Sequence, residues 1–549
     1  MEKRAVLAFT LSFVVLVGYM WGVQYFSPSS PPPPKAPVKT EEKATPPPVP
    51  LAPLAPMREF AERQGPAREV PINSPYVRAA LTNVGGRITR WELLKYQQRD
   101  GGGRARPLPI VVDGLLGPEG LTVRRAGDEP REVGFNLTGG PVELDETHPV
   151  GELLLERTDR FGLEIVEVMI FRSNDYAMDL AIRLKNQHSA TQVVELELGW
   201  MMNWPEKAKV EDGGQRPIGV VGMSNGHVRR HALTDVPESV EEGKWIALES
   251  KWYVIALVPQ SQGIKLFQKK SGDGARVGLR FSPPPLPPGQ GWEGRALIYV
   301  GPKEYDRLKE IQVGLEQTIH YGNFVVPFLP MEWFSVPLLW LLKLFFRFTG
   351  NYGVAIILLT IVIKVVFYPF THISMKSMKA MQALQPQINS IRAKYKNDRE
   401  RLQKETMELY RKHRVNPMAG CLPMVIQVPI FYALYLTLDL SVELQGAGFL
   451  CFGRIWGVDL WICDLSKADP VYVLPVLMGA SWFIQQKMTP TVGDPRQAKI
   501  MLLMPIVFTF MFFSFPAGLV LYWFVNNVLS IAQQVYTERR SAIHGQAKA

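Results

Sequence analysis

The chain reads as a polytopic α-helical membrane protein of six spans, the last five forming one core, with a large β-sandwich domain on the outward side between the first span and the rest. Three observations predict this. Apolar runs occur at 5–26 and then, after residue 350, at 353–370, 421–440, 471–484, 500–515 and 517–535; about 20 such residues cross a bilayer. The region between the first two runs has soluble composition and period-two alternation, as in LEIVEVMI at 163–170, the mark of half-buried strands. Lys and Arg crowd the loops that six spans would place on one side, and this sets the orientation.

Each element follows in turn. Lys3 and Arg4 precede the first apolar run, and no small-x-small cleavage site follows it, so 1–27 is expected to be an uncleaved signal-anchor span. Residues 28–60 form a Pro-rich tether, extended to as much as about 90 Å at 3.1 Å per residue. Residues 61–322 carry the alternating strands and Gly/Pro turns of the β-sandwich, closed by a short helix over 304–319. Residues 323–350, apolar and aromatic with Lys343 and Arg347, are expected to lie in the outer interface as an amphipathic helix.

The remaining spans are 351–371, 421–441, 471–487, 499–515 and 516–536. They enclose a cytoplasmic helical hairpin at 372–420, an outward loop at 442–470, a cytoplasmic turn at 488–498 and a tail at 537–549. The hairpin carries eleven basic residues against four acidic ones; the outward loop carries two against four. Both termini are thus expected in the cytoplasm, and the net charge of +10 follows topology rather than a nucleic-acid footprint.

Lys364 is the residue that demands a reason. A charge within a span costs at least about 2.5–3.5 kcal/mol on insertion scales. Snorkelling to the nearer interface is one account, although the position is about 10 Å from the end of its apolar run at 1.5 Å per residue. Its surroundings favour another. Thr360 lies four residues before it on the same face; Tyr522, Asn526, Ser530 and Gln533 form one polar stripe on the last span; Gln427 opens the third span between two prolines. Lipid cannot satisfy such stripes, so they are expected to converge on a hydrated cavity holding one positive charge. The sole acidic candidate, Asp439, sits at the far end of its span. In the hairpin, Met375, Met378 and Met381 recur at helical spacing. They form either the hairpin seam or a flexible apolar face for varied hydrophobic segments, with Arg392 and Lys394 on its basic surface.

Other motifs carry less. GMSNG at 222–226 matches a nucleophile elbow, but the HVRRHALTDVP that follows is no amphipathic helix. No metal, phosphate-loop or protease signature is present, so neither catalysis nor a cofactor is expected. Cys451 and Cys463 share the outward loop, where an oxidising compartment permits a disulfide and two free thiols are equally open.

Several longer motifs then resemble the YidC family of membrane-protein insertases. They are GNYG at 350–353, YP at 368–369, LQP at 384–386, VNPMAGCLP at 415–423, QVPIFYALY at 427–435, SVEL at 441–444 and FPAGLVLYW at 515–523. The resemblance spans the whole architecture, the β domain by position and pattern only. It implies an inner-membrane insertase and chaperone, without cofactor, energy source or small-molecule substrate, whose β-sandwich is periplasmic. A hydrophilic groove would open to the cytoplasm and sideways to lipid. Lys364 would attract the acidic tail of a nascent membrane protein, whose apolar segment would leave past Phe431, Tyr435, Met511 and Phe515. The Sec translocon, the ribosome and the signal-recognition machinery are implied as partners. Well-studied bacterial members carry Arg where this chain has Lys364 and a commoner Tyr where it has Trp523, and residues 450–458 look like an insertion. A solute or ion transporter and a passive assembly scaffold are the rival readings; neither an inverted repeat nor a paired intramembrane charge supports the former.

Overall fold

The computed structural model describes residues 67–99, 105–125, 131–204, 214, 216–322, 330–396, 398–413, 415, 422–455, 458–488 and 495–546. The expected signal anchor (1–27) and tether (28–60) lie outside the described residues.

The alternating region is built of sheets. A nine-stranded antiparallel sheet has Ala177–Asn186 near its centre, between Leu163–Arg172 and Gly291–Pro302. Every second residue of the central strand, Met178, Leu180, Ile182 and Leu184, is buried, as the two-residue side-chain period requires. A second, seven-stranded sheet touches it where Gly274–Phe281 meets Trp245–Glu249 and Tyr253–Pro259. Trp245–Glu249 is buried at all five positions because both of its faces are covered. A five-stranded sheet joins through Trp91, whose Nε1 donates to the Val300 carbonyl at 2.8 Å.

Two turns explain local sequence choices. Asn225 and Gly226 both adopt left-handed backbone (φ 51° and 77°) and join Gly219–Ser224 to His227–Ala232 in an antiparallel hairpin. This is the two-residue turn that Asn-Gly favours. The GMSNG motif is therefore strand–turn–strand and lacks the helix a nucleophile elbow needs. At Gly86 (φ 62°) an added Cβ would lie 2.2 Å from Glu167 Oε2, so this turn admits only glycine.

Where a single short helix is expected over 304–319, the structure has α1 (Tyr305–Glu310) and a separate 3-10 turn, Leu315–Thr318. Left-handed backbone at Gln312 and Gly314 (φ 61° and 82°) breaks the helix between them. The helix α2 (Glu332–Thr349) follows. It buries Ser335, Leu338, Leu339 and Leu342 and exposes Trp333, Trp340 and Phe348. Gly350 (φ 64°) ends α2 with its N–H on the Phe346 carbonyl at 2.7 Å, and Phe346 stacks on Tyr352 across the break.

The helix α3 (Tyr352–Ala383) is, among the described residues, the one helix both long and apolar enough to cross a membrane. It does not stop at residue 371 but continues into the expected hairpin. The break falls at Leu384, where Pro386 opens α4 (Gln385–Lys394), an acceptable place for a residue that lacks an N–H. The helix α5 (Arg399–Lys412), N-capped by Asp398, completes the hairpin. Beyond it lie α6 (Leu422–Leu440), α7 (Val473–Met488), α8 (Pro495–Phe512) and α9 (Ala517–Gln546). These helices occupy the positions of the remaining apolar runs. α9 packs on α7, α3 and α6, while α2 packs on α3 and α6. Between α6 and α7, Leu450–Ile455 and Val458–Ile462 form a hairpin, bridged by a Cys451–Cys463 disulfide. The bridge takes the first of the two open readings for these thiols, and the 450–458 insertion is mostly this hairpin.

The sheets are tied to the helices by charge. Lys251 Nζ meets Asp439 Oδ1 at 2.8 Å, and Trp252 Nε1 donates to the Asp439 carbonyl at 3.1 Å. Lys343 lies 2.7 Å from Glu443 Oε1 and 3.1 Å from Asp306 Oδ2. Asp439, the sole acidic candidate for Lys364, is thus engaged by the β region instead.

Candidate functional site

The polar residues of α3 and α9 meet. Lys364 Nζ donates to Ser530 Oγ at 2.6 Å, and Ser530 Oγ donates to the Asn526 carbonyl at 2.7 Å. Seven residues further along α3, Thr371 Oγ1 accepts from Gln533 Nε2 at 2.9 Å. Positions 364 and 371 are two turns apart, and 530 and 533 nearly one, so both pairs lie along one helix–helix seam. No carboxylate lies within 4 Å of Lys364 Nζ among the described residues, and the residue is half-buried. Asn526 Oδ1, one turn from Ser530, is buried with no hydrogen-bond donor among the described residues. A cation with no carboxylate in reach among the described residues is costly in lipid and useful to a polar guest.

Gln427 and Tyr522 are also brought together: their side chains hydrogen-bond across α6 and α9, and Tyr522 is 1% exposed. Thr360 is placed differently. Its hydroxyl donates to its own helix at Ile356 O, 2.7 Å away, and the residue is wholly buried. A threonine in a helix commonly satisfies itself in this way, so Thr360 does not join Lys364.

An aromatic cluster lies beside the polar seam. Phe431 stacks on Trp523 with ring centroids 4.4 Å apart, Trp523 meets Phe512 edge-on at 4.2 Å, and Phe515 lies 5.0 Å from Phe512 and 6.4 Å from Tyr435. Phe431, Tyr435 and Phe515 are therefore one continuous aromatic surface. Met511 stands apart from these ring contacts on an exposed stretch of α8 with Val507 and Phe510.

In the hairpin, Met381 is buried, as are Leu384 and Ile388, whereas Met375 and Met378 are half-buried. Arg392 is half-buried; Lys394 is exposed, its ammonium 5.3 Å from the Tyr395 ring centroid.

One set of residues escaped the sequence reading. Asn527 Nδ2 donates to Ser481 Oγ at 3.3 Å and to the Met478 carbonyl at 3.5 Å. The α9 helix therefore carries a second polar face, directed at α7. The signal was present: Asn527 and Gln534 are seven residues apart, two turns along one side of the helix.

Comparison with known proteins bears on what this arrangement belongs to. The family model described as the YidC periplasmic domain matches residues 69–341, and that described as the 60Kd inner membrane protein matches 344–544. A membrane protein insertase YidC of Syntrophus aciditrophicus (strain SB) is 36% identical over 568 residues, covering 98% of this chain and all of the relative. That of Geotalea uraniireducens (strain Rf4) is 36% identical over 559 residues, covering 98% and 99%. A solved structure of an active YidC insertase, with its first transmembrane domain resolved, covers 88% of this chain at 19% identity with a TM-score of 0.35. From the two family models and the full-length relatives, the chain belongs to the YidC family of membrane-protein insertases, inner-membrane proteins with a periplasmic domain.

Proposed function

We propose that this chain accepts hydrophobic segments of nascent membrane proteins from the cytoplasm into a hydrated, positively charged groove between α3, α6 and α9, and releases them sideways into the bilayer. The observation that carries the reading is the Lys364 ammonium, held by Ser530 alone and facing no carboxylate among the described residues. Such a charge is free to offset part of the transfer cost of an acidic tail. Water around Asn526 and Ser530 shortens the apolar thickness that the tail must cross. The client's apolar segment leaves over Phe431, Tyr435 and Phe515, with Met511 on the lipid side, and burial of apolar surface in lipid drives the step. No catalytic group, cofactor or small-molecule substrate is required.

The half-buried Met375 and Met378, with Arg392 and Lys394 further along the hairpin, make it the first contact for an incoming segment. The protein works alone or beside the Sec translocon, receiving clients from the ribosome and the signal-recognition machinery. Six spans place both termini in the cytoplasm, and the exposed Trp333 and Trp340 of α2 suit a helix seated in the outer interface.

The test uses proteoliposomes and a one-span client with an acidic outward tail, with protease protection of that tail as the readout. Protection by the natural protein and by Lys364→Arg, reduced by Lys364→Ala and abolished by Lys364→Glu, is the expected result. Equal protection in all four would remove the charge from the mechanism, and protection no better than empty liposomes would remove the insertase reading.

A further inference from the structure

The outward loop between α6 and α7 grips the two helices that carry the polar seam, and it does so at their outer ends. On α3, Asn351 caps the helix with its side-chain oxygen on the N–H groups of Gly353 and Val354 and donates its Nδ2 to the Gly448 carbonyl at 3.4 Å. Phe449 lies directly on the first turn: a Cβ added at Gly353 would stand 2.1–2.6 Å from its side-chain carbons. On α9, the N–H of Ala517 donates to the Lys467 carbonyl at 2.7 Å, and that of Gly518 to the Leu465 carbonyl at 2.9 Å. These are donors that a helix start otherwise leaves unpaired. The two grips are joined to each other, because Leu465 N–H donates to Ala447 O at 2.9 Å and Phe449 N–H to Ile462 O at 3.0 Å.

The Cys451–Cys463 bridge sits between the grips, two residues after Phe449 and two before Leu465. The hairpin it closes is short, and its register shifts between Cys451 and Arg454, with Gly453 at φ 104°. An isolated two-stranded ribbon is marginal in water, so this one needs a staple. Lys364 and Ser530 lie eleven and twelve residues inward of the gripped glycines Gly353 and Gly518, about 17 Å below the loop at 1.5 Å per residue.

We propose that Cys451 and Cys463 are positioning residues. Their bridge fixes the hairpin as a brace across the outer ends of α3 and α9, and keeps the seam that holds Lys364 and Ser530 shut toward the periplasm while it stays open to the cytoplasm. The proposal rests on the groove reading above and adds which covalent bond holds the outer end closed. Opening the brace would separate the helix ends and admit water from outside, with no change at the inner end.

The experiment places a thiol at Ser530→Cys in full-length protein carrying Cys421→Ala, and applies a membrane-impermeant maleimide from either face of sealed vesicles. Modification is read by mass spectrometry at residue 530. With the bridge intact, position 530 is expected to label predominantly from the cytoplasmic face, with outer-face labelling at a low background. In Cys451→Ala/Cys463→Ala, outer-face labelling is expected to rise about tenfold while cytoplasmic labelling stays constant, the signature of a shifted equilibrium at one end. Should the double variant fail to fold, the bridged protein is treated with dithiothreitol after assembly. The reagent gives up two electrons and two protons and becomes a cyclic disulfide; the bridge becomes two thiols, and the same one-sided rise is expected. Unchanged outer labelling in folded, unbridged protein would overturn the proposal, as would a rise at both faces, which denotes general loosening. Equal labelling from both faces with the bridge intact would instead overturn the one-sided groove itself.

Discussion

Lys364 and Ser530 form a directed pair: the ammonium donates to a hydroxyl that has already given its own proton to the Asn526 carbonyl, at 2.6 and 2.7 Å. The serine oxygen is thus an acceptor for the lysine, and it holds the Nζ toward α9. Ser530→Ala removes that acceptor and frees the ammonium to reach the inner interface. A hydrogen bond to a charged group is worth about 1.5–3 kcal/mol when buried and less where water competes, so insertion of an acidic-tailed client is expected to fall about fivefold. The double variant Lys364→Ala/Ser530→Ala should be no worse than Lys364→Ala alone, because the serine acts through the lysine. Additive losses in the protease-protection assay would show that Ser530 acts independently.

Asp439 offers a test by charge exchange. Its partner Lys251 is 39% exposed, so solvent screens the pair and its contribution is about 0.5–1 kcal/mol at most. Lys251→Asp or Asp439→Lys alone places like charges together and is expected to raise protease cleavage around the β region's attachment to α6 severalfold. The double exchange should restore resistance, since Trp252 still donates to the backbone at 439. Cleavage equally fast in the double exchange would mean that the pair does not hold the two regions together.

Glu167 is wholly buried, and neither carboxylate oxygen has a hydrogen-bond partner among the described residues. Burial pushes its pKa well above the ordinary carboxylate value. The sign follows from linkage. Below about pH 4.3, the usual value for glutamate, the group is protonated in both folded and unfolded chains and contributes no pH dependence. As pH rises above that, only the unfolded chain ionises, so stability falls until the folded pKa is reached. Thermal unfolding of the full chain in detergent should therefore show a smaller loss from pH 5 to 7.5 in Glu167→Gln than in the natural protein. The slope is the readout, because the buried amide carries its own desolvation cost. Identical slopes would show that Glu167 is ionised, or hydrated, in the folded protein.

How much of this was legible depends on whether the cause is local. Strand alternation at 163–170 is local and was legible; that Glu167 shares the buried face with Leu163, Ile165 and Met169 came only from the structure, since a charged residue there reads as solvent-facing. The Lys364–Ser530 seam was legible because helical spacing alone aligns Tyr522, Asn526 and Ser530. Thr360 was not, since spacing gives the face of a side chain but not its bond, and its hydroxyl prefers the Ile356 carbonyl. The break at Leu384 was masked because the apolar spacing of Met378 and Met381 continues in phase across it through Leu384, Ile388 and Ile391. The partner of Asp439 lies 188 residues away, and nothing short of the tertiary fold brings Lys251 to it.

The proposed groove charge also predicts how clients are discriminated. An ammonium with no carboxylate in reach among the described residues acts on a tail by Coulomb attraction, which is stronger in a half-buried site than in bulk water and falls with ionic strength where salt can enter. Clients that differ only in tail charge should therefore insert in the order acidic, neutral, basic. The spread between the extremes should be about tenfold at low salt and should narrow at high salt, as screening shortens from about 30 Å at 0.01 M to 3 Å at 1 M. Lys364→Arg should keep the order and widen the advantage of carboxylate tails, because a guanidinium binds them in bidentate fashion whereas an ammonium acts as a point charge. Lys364→Gln should collapse the order while leaving a residual rate that depends on the client's apolar segment, since burial in lipid still drives release. If the order survives in Lys364→Gln, the discrimination resides elsewhere, and the basic hairpin around Arg392 and Lys394 becomes the site to neutralise next.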